Sequence, residues 1–193
     1  MNNIKNLLTT LSLSALLSGT SLNVSAQHSF TALEQSSISV PTPGLFTRSD
    51  AFNIDFSILK PEEYSFPLPV GKAEVKGGQA LEITTTKGDA VKAMFNGRVR
   101  LSKRTAQYGN TIVIRHDNGL ETVYAYNAQN IVGVGTRVKA GQTIAIAGGD
   151  NGKTYCLFAI MVNGGWINPE TVINPKSHKL RNQVLQCRKT GKN

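Results

Sequence analysis

Histidine is scarce in this chain. Three occur in 193 residues, His28, His116 and His178, and none has a partner at a spacing that one strand or helix could bring to a shared point, as an imidazole metal site requires. Cysteine is rarer still. Cys156 and Cys187 allow one disulfide, which in an oxidising compartment would pin the C-terminal tail to the body; the other reading is a buried free Cys156 in a strand and an exposed free Cys187. After the first turns of the chain no apolar run approaches the ~20 residues that cross a bilayer. Helix signals are poor throughout, and acidic residues stop at Glu170.

What is present begins with a leader. Lys5, an apolar run from Leu7 to Leu17 and the small-residue site Val24-Ser25-Ala26 are the three parts of a secretory signal, with the mature protein expected to start at Gln27. A retained membrane anchor is the alternative; no cysteine follows the cleavage site to carry a lipid. Export, to the periplasm or the extracellular space, is therefore expected. The remaining chain holds 20 basic and 12 acidic residues, and six of the basic ones (Lys176, Lys179, Arg181, Arg188, Lys189, Lys192) follow Glu170. A body close to neutrality with a basic tail argues against nucleic acid as partner. It fits contact with anionic envelope polymers or phospholipid, or a solvated tail that aids solubility.

Four segments are expected: a signal over 1–26, an irregular arm or linker over 27–63 containing Pro41-Thr42-Pro43-Gly44, a β domain over 64–170, and a basic tail over 171–193. Within the domain, short β-branched and apolar runs broken by glycine and asparagine are the pattern of strands and turns. Asn118-Gly119 predicts a two-residue hairpin that sets His116 opposite Glu121 and Val113 opposite Tyr124. Asn96-Gly97 predicts a turn between Val91–Phe95 and Arg98–Leu101, and Asn163-Gly164-Gly165 another before Trp166. In the tail, Leu180, Val184 and Leu185 suggest a short helix.

Several stretches, in order, resemble the M23 peptidases, the lysostaphin- or LytM-type domains that cut peptidoglycan cross-links. They are Gly88-Asp89-Ala90-Val91-Lys92-Ala93, Tyr108-Gly109-Asn110-Thr111-Ile112-Val113-Ile114-Arg115-His116, Gly119-Leu120-Glu121-Thr122-Val123-Tyr124, Gly133 to Gly149, and Gly164-Gly165-Trp166-Ile167-Asn168-Pro169. The resemblance covers roughly residues 65–170 and implies an all-β fold: a small antiparallel β-barrel or sandwich of the LytM-like type, related to barrel-sandwich hybrids. It also implies a zinc site made by a His-x-x-x-Asp segment and the second His of His-x-His, with a further His in Tyr-x-His. Counting from Gly88, those slots hold Gly78 and Glu82, then Tyr126, then Cys156 and Phe158. One carboxylate and one thiol fall short of the three ligands a catalytic zinc normally takes, so no metal, no cofactor and no catalytic residue are expected.

The expected groove then has a floor of Gly78, Glu82, Tyr126, Cys156 and Phe158, with Trp166 at its side, suited to apolar burial of a partner. By the same resemblance the protein is expected to be a non-catalytic pseudoenzyme that binds a cell-wall hydrolase of amidase type, or peptidoglycan, and so regulates wall remodelling. Core filling by Tyr126 and Phe158 is the plainer alternative. Two other functions stay open: an active zinc endopeptidase with differently placed ligands, and a biotinyl- or lipoyl-carrier barrel suggested by Val138-Lys139-Ala140-Gly141-Gln142-Thr143-Ile144-Ala145. The carrier reading lacks the Met-Lys-Met or Asp-Lys-Ala tripeptide that such domains modify.

Overall fold

A computed structural model describes residues 30–189; the leader and His28 lie outside the described residues. The described elements are one short α-helix, α1 (Ala32–Ser36), two 3-10 turns at Pro61–Glu63 and Pro169–Thr171, and fourteen strands. The strands are β1 (Ala51–Asp55), β2 (Lys72–Lys76), β3 (Ala80–Thr84), β4 (Ala90–Lys92), β5 (Gly97–Thr105), β6 (Gly109–His116), β7 (Leu120–Asn130), β8 (Arg137–Val138), β9 (Thr143–Ala147), β10 (Tyr155–Val162), β11 (Gly165–Ile167), β12 (Ile173–Asn174), β13 (Lys179–Leu180) and β14 (Val184–Arg188). Ten of them make one antiparallel sheet along the path β2-β3-β10-β7-β6-β5-β8, with β11 beside β10, and β9 joining β7 to β4. The expected antiparallel all-β architecture is thus present, as an open sheet rather than a closed barrel.

One face of this sheet packs a large core in which Leu81, Ile83, Ile112, Ile114, Tyr124, Phe158 and Ile160 are fully buried. The opposite face carries a smaller cluster of Leu101, Val113, Val123, Ala159 and Met161. Alternation along each strand separates the two. Part of the second face is covered by the N-terminal arm. Thr31 caps α1 by accepting from the Glu34 backbone N–H at 3.3 Å, while the Glu34 carboxylate accepts from the Thr31 N–H at 2.8 Å, a reciprocal capping box.

Fully buried Arg100 fastens this arm. It sits where the β5–β6 register shifts by one residue, between Val99 and Leu101, a bulge that re-aims its side chain. Its guanidinium donates to both Glu121 oxygens, at 2.8 and 2.9 Å, and to the backbone carbonyls of Glu34, Ser37 and Ile38. Five acceptors in one fixed fork suit arginine and no other side chain.

The turns correct the sequence reading in part. Asn163 and Gly164 both have positive φ between paired Val162 and Gly165, the expected tight hairpin. The β6–β7 loop takes three residues instead of two: Arg115 opposes Glu121 and Ile112 opposes Tyr124, with Gly119 at φ +89. His116 therefore does not face Glu121, nor Val113 Tyr124. Asn96-Gly97 does not join paired strands, because β4 pairs with β9 and β5 with β6 and β8.

The tail forms no helix at Leu180, Val184 and Leu185. β12 and β13 make a hairpin, and β14 pairs with β1 from Ala51↔Arg188 to Asp55↔Val184. Val184, Gln186 and Arg188 are exposed while Leu185 is half-buried and Cys187 buried, a period of two that only a strand satisfies. The arm, read as irregular, supplies that strand's partner. Both cysteines are buried and free, so the disulfide reading does not describe this structure.

Candidate functional site

The acidic slot, Glu82 on β3, lies directly opposite Leu157 on β10, which in turn lies opposite Ala125 on β7. Opposed residues share a face, so the positions able to converge with Glu82 are odd-numbered on β10: Tyr155, Leu157 and Ala159. Cys156 and Phe158 point the other way. Both are fully buried in the main core, with Phe158 5.4 Å from the Tyr124 ring. They do not line a surface groove. Burial pushes the Cys156 thiol up to about 12, which leaves it protonated and inert as ligand or nucleophile.

Gly78 lies in the three-residue loop between paired Lys76 and Ala80, at φ +69. It brings no donor group. Glu82 is mostly buried and is engaged by two ammonium groups: Lys153 Nζ contacts its Oε1, and Lys76 Nζ lies 3.7 Å from the same atom. The contact with Glu82 raises the Lys153 pKa above its ordinary value. Positive charge from the protein itself therefore sits where a cation would bind this carboxylate.

Tyr126 is the strained residue of the site. Between the pairs Asn110↔Asn127 and Ile112↔Tyr124, β7 has one residue more than β6, and Tyr126 adopts φ +58, a conformation costly for a bulky side chain. Its backbone is held on both sides: its N–H donates to Tyr108 O at 2.9 Å and its carbonyl accepts from Gly149 N–H at 2.6 Å. Its ring packs 5.1 Å from Tyr155 and 6.3 Å from Tyr108. Burial pushes the Tyr155 phenol up to about 12, so it is neutral at physiological pH.

The donor set facing Glu82 is thus two phenols and an aliphatic chain. Among the described residues no group of three His, Cys, Asp or Glu side chains is placed to hold a metal. The residues present do not fit the zinc site that the resemblance implies.

Beside this cluster lies a groove of about 260 Å³. Its floor is Ala80, Val123, Ala125, Leu157 and Ala159, and its sides are Lys76, Tyr108 and Trp166. Trp166 lies opposite Met161 on β11 and is half-buried, so it is both wall and packing residue. Small alanines set the depth. At one end the arm closes the face, with Ile38 against the Leu101–Met161 cluster. Of the six residues expected to form the groove, the structure keeps Trp166 in its wall, sets Glu82 and Tyr126 beside it, leaves Gly78 in the adjacent loop and buries two.

Tyr155, Leu157 and the alanines were missed because the run from Cys156 to Met161 holds no strongly polar residue to mark a face. A run without alternation cannot report which face is which. The usable signal was Glu82 between Leu81 and Ile83, which fixes the outward parity of β3 and, through pairing, of β10.

Residues 76–169 match the profile of Peptidase family M23. The chain is 36% identical over 94 residues to the murein hydrolase activator EnvC of Escherichia coli, covering 48% of this chain and 22% of that protein. It is 32% identical over 115 residues to the peptidoglycan DD-endopeptidase ShyC of Vibrio cholerae, covering 58% of this chain and 27% of that one. The chain thus spans about a quarter of the length of these relatives. Lysostaphin from Staphylococcus simulans has a similar fold, with a TM-score of 0.53 at 23% identity over 58% of this chain and 52% of that one.

Proposed function

Because residues 76–169 belong to peptidase family M23, we propose that the protein is an exported, non-catalytic member that regulates cell-wall remodelling by holding a segment of a cell-wall hydrolase, such as an amidase, in the Ala125–Leu157 groove. One observation carries the reading. The face to which the resemblance assigns the metal ligands presents Glu82 neutralised by Lys76 and Lys153, with Tyr126, Tyr155 and Leu157 around it. Water activation needs an electrophilic metal with an open position, whereas an apolar, aromatic-walled groove favours binding. Similarity to a murein hydrolase activator supports the same reading. No described helix is long and apolar enough to cross a membrane.

Leu157→Arg and Tyr108→Ala test it, since both change the groove at half-buried positions, one in its floor and one in its wall. The expected result is lost capture of a purified wall hydrolase with an unchanged melting temperature. Retained capture by both variants would refute the groove as the binding site. Peptidoglycan itself is the alternative ligand, distinguished by sedimentation with sacculi.

Similarity to an endopeptidase keeps an active zinc enzyme as the second reading. Stoichiometric zinc in the purified protein, with peptidoglycan clearing lost on chelation, would establish it and overturn the first. Anionic contact through the basic tail remains a subsidiary proposal, weakened by Asp50 and Asp55, which bound the strand paired with β14.

A further inference from the structure

On the opposite side of the arm, directly opposed residues across β8, β5, β6 and β7 are Arg137, Arg98, Arg115 and Glu121. Three guanidinium groups therefore stand in a row on one face, at cross-strand spacings of ~5 Å, where like charges repel. Only the inner end is neutralised. Arg115 donates through Nε to Glu121 at 2.8 Å and through Nη1 to Glu34 at 2.6 Å.

Arg98 spends one donor, Nη1, on Gly135 O at 2.7 Å. Its other donors, and all those of Arg137, have no protein partner among the described residues. These arginines line a cleft of about 420 Å³ between the sheet and the arm, with Phe30, Thr42 and Asp117 on its other walls. Two lining residues hold buried polar atoms that lack a partner among the described residues, Thr42 Oγ1 and Arg115 Nη2. Hydrogen bonding is incomplete at the same place where positive charge accumulates. The facing carboxylates do not cancel it: Glu34 is engaged by Arg115 and Thr31, and Asp117 is exposed at the rim.

We propose that this cleft is a phosphate-binding site, in which Arg98 and Arg137 grip the oxyanion and the unpartnered Nη2 of Arg115 donates from behind. A carboxylate is satisfied by one guanidinium fork, while a phosphate has oxygens enough for two forks from neighbouring strands. The source is either the free ion or a phosphate carried on a larger envelope molecule, and the cleft is roomy enough for both. Nothing in this assignment depends on the groove's function, which lies on other residues.

Calorimetric titration of the purified protein with inorganic phosphate, glycerol 3-phosphate and acetate tests the site. Saturable phosphate binding is expected, weakened about tenfold, or ~1.4 kcal/mol, by Arg98→Gln and again by Arg137→Gln. Asp117→Asn should tighten it severalfold, and Lys103→Gln, on the same strand outside the cleft, should leave it unchanged. Tighter binding of glycerol 3-phosphate than of phosphate would identify a carried phosphate, and equal binding the free ion. The assignment is overturned by absence of saturable phosphate binding, by acetate binding as tightly, or by Lys103→Gln weakening binding as much as Arg98→Gln does. Unliganded Arg98→Gln should be no less heat-stable than the parent, because it relieves repulsion; this separates lost affinity from lost fold.

Discussion

His116 is neither a metal ligand nor the cross-strand partner of Glu121. It lies buried with Nδ1 2.9 Å from Asn96 O and Nε2 2.7 Å from the Thr122 hydroxyl. A carbonyl only accepts, so Nδ1 carries the proton of the neutral ring. Burial pushes its pKa down from 6.5 to about 4. The unfolded chain thus takes up a proton at this residue before the folded one does. Its contribution is whole above pH 6.5, falls as pH drops toward 4, and is level below that; the loss amounts to about 3 kcal/mol. Urea midpoints measured between pH 7 and pH 4 should show the slope, and His116→Gln should flatten it. An unchanged slope in the variant would assign the acid sensitivity to other groups.

A second residue-scale consequence follows from parity. Phe158 fills the core against Tyr124, Leu81 and their neighbours, so Phe158→Ala should cost roughly 3–5 kcal/mol of stability. Leu157, one position away and half-exposed, should tolerate substitution. Equal destabilisation by Phe158→Ala and Leu157→Ala in chemical denaturation would contradict the assignment of faces.

At the scale of elements, the β6–β7 hairpin shows what the sequence could and could not say. Asn118-Gly119 marked the turn correctly, because position 119 needs positive φ; adding Cβ there would also meet the Phe52 ring at 3.0 Å. Gly119→Ala should therefore destabilise by about 1 kcal/mol or more, seen as a lowered melting temperature. The loop length was not legible. Two-residue and three-residue turns both accept Asn-Gly, and the difference of one residue moves every partner. The strand-rich fold and the Asn163-Gly164 turn were readable because they rest on local period and backbone preference. Non-local facts were not: which strand pairs with β4, that Arg100 sits in a bulge, and that β14 finds β1 more than a hundred residues away. Arg100 is the clearest case, an arginine in a basic-looking run, Arg98 to Arg104, that proves to be fully buried. Arg100→Ala would leave Glu121 with Arg115 as its one remaining cation and free three arm carbonyls, at a cost of roughly 3–5 kcal/mol. Hydrogen exchange should then rise first at residues 31–40, and unchanged protection there would deny Arg100 its fastening role.

At the scale of the molecule, charge that is clustered in sequence is dispersed in space, and the reverse. The tail's basic residues are spread over separate elements, Lys179 on β13, Arg188 on β14 opposite Ala51, and Lys189 with its Nζ 3.6 Å from Asp50, while Arg98, Arg115 and Arg137, distant in sequence, are gathered into one row. The same arm-to-tail pairing makes the chain's two thiols reporters of different events. Cys187 lies in the two-stranded β1–β14 ribbon, which is separate from the main sheet, and Cys156 lies in the centre of the main sheet, paired with Ile83. Small peripheral units open at lower free energy than the core to which they are attached. Under native conditions a thiol reagent should therefore modify Cys187 well before Cys156, by about tenfold or more in rate for each ~1.4 kcal/mol separating the two openings. Removing residues 184–193 should leave Cys156 labelling slow if the ribbon is an independent clasp. Identical labelling rates for both thiols in the intact protein would mean that arm, tail and sheet open together as one cooperative unit.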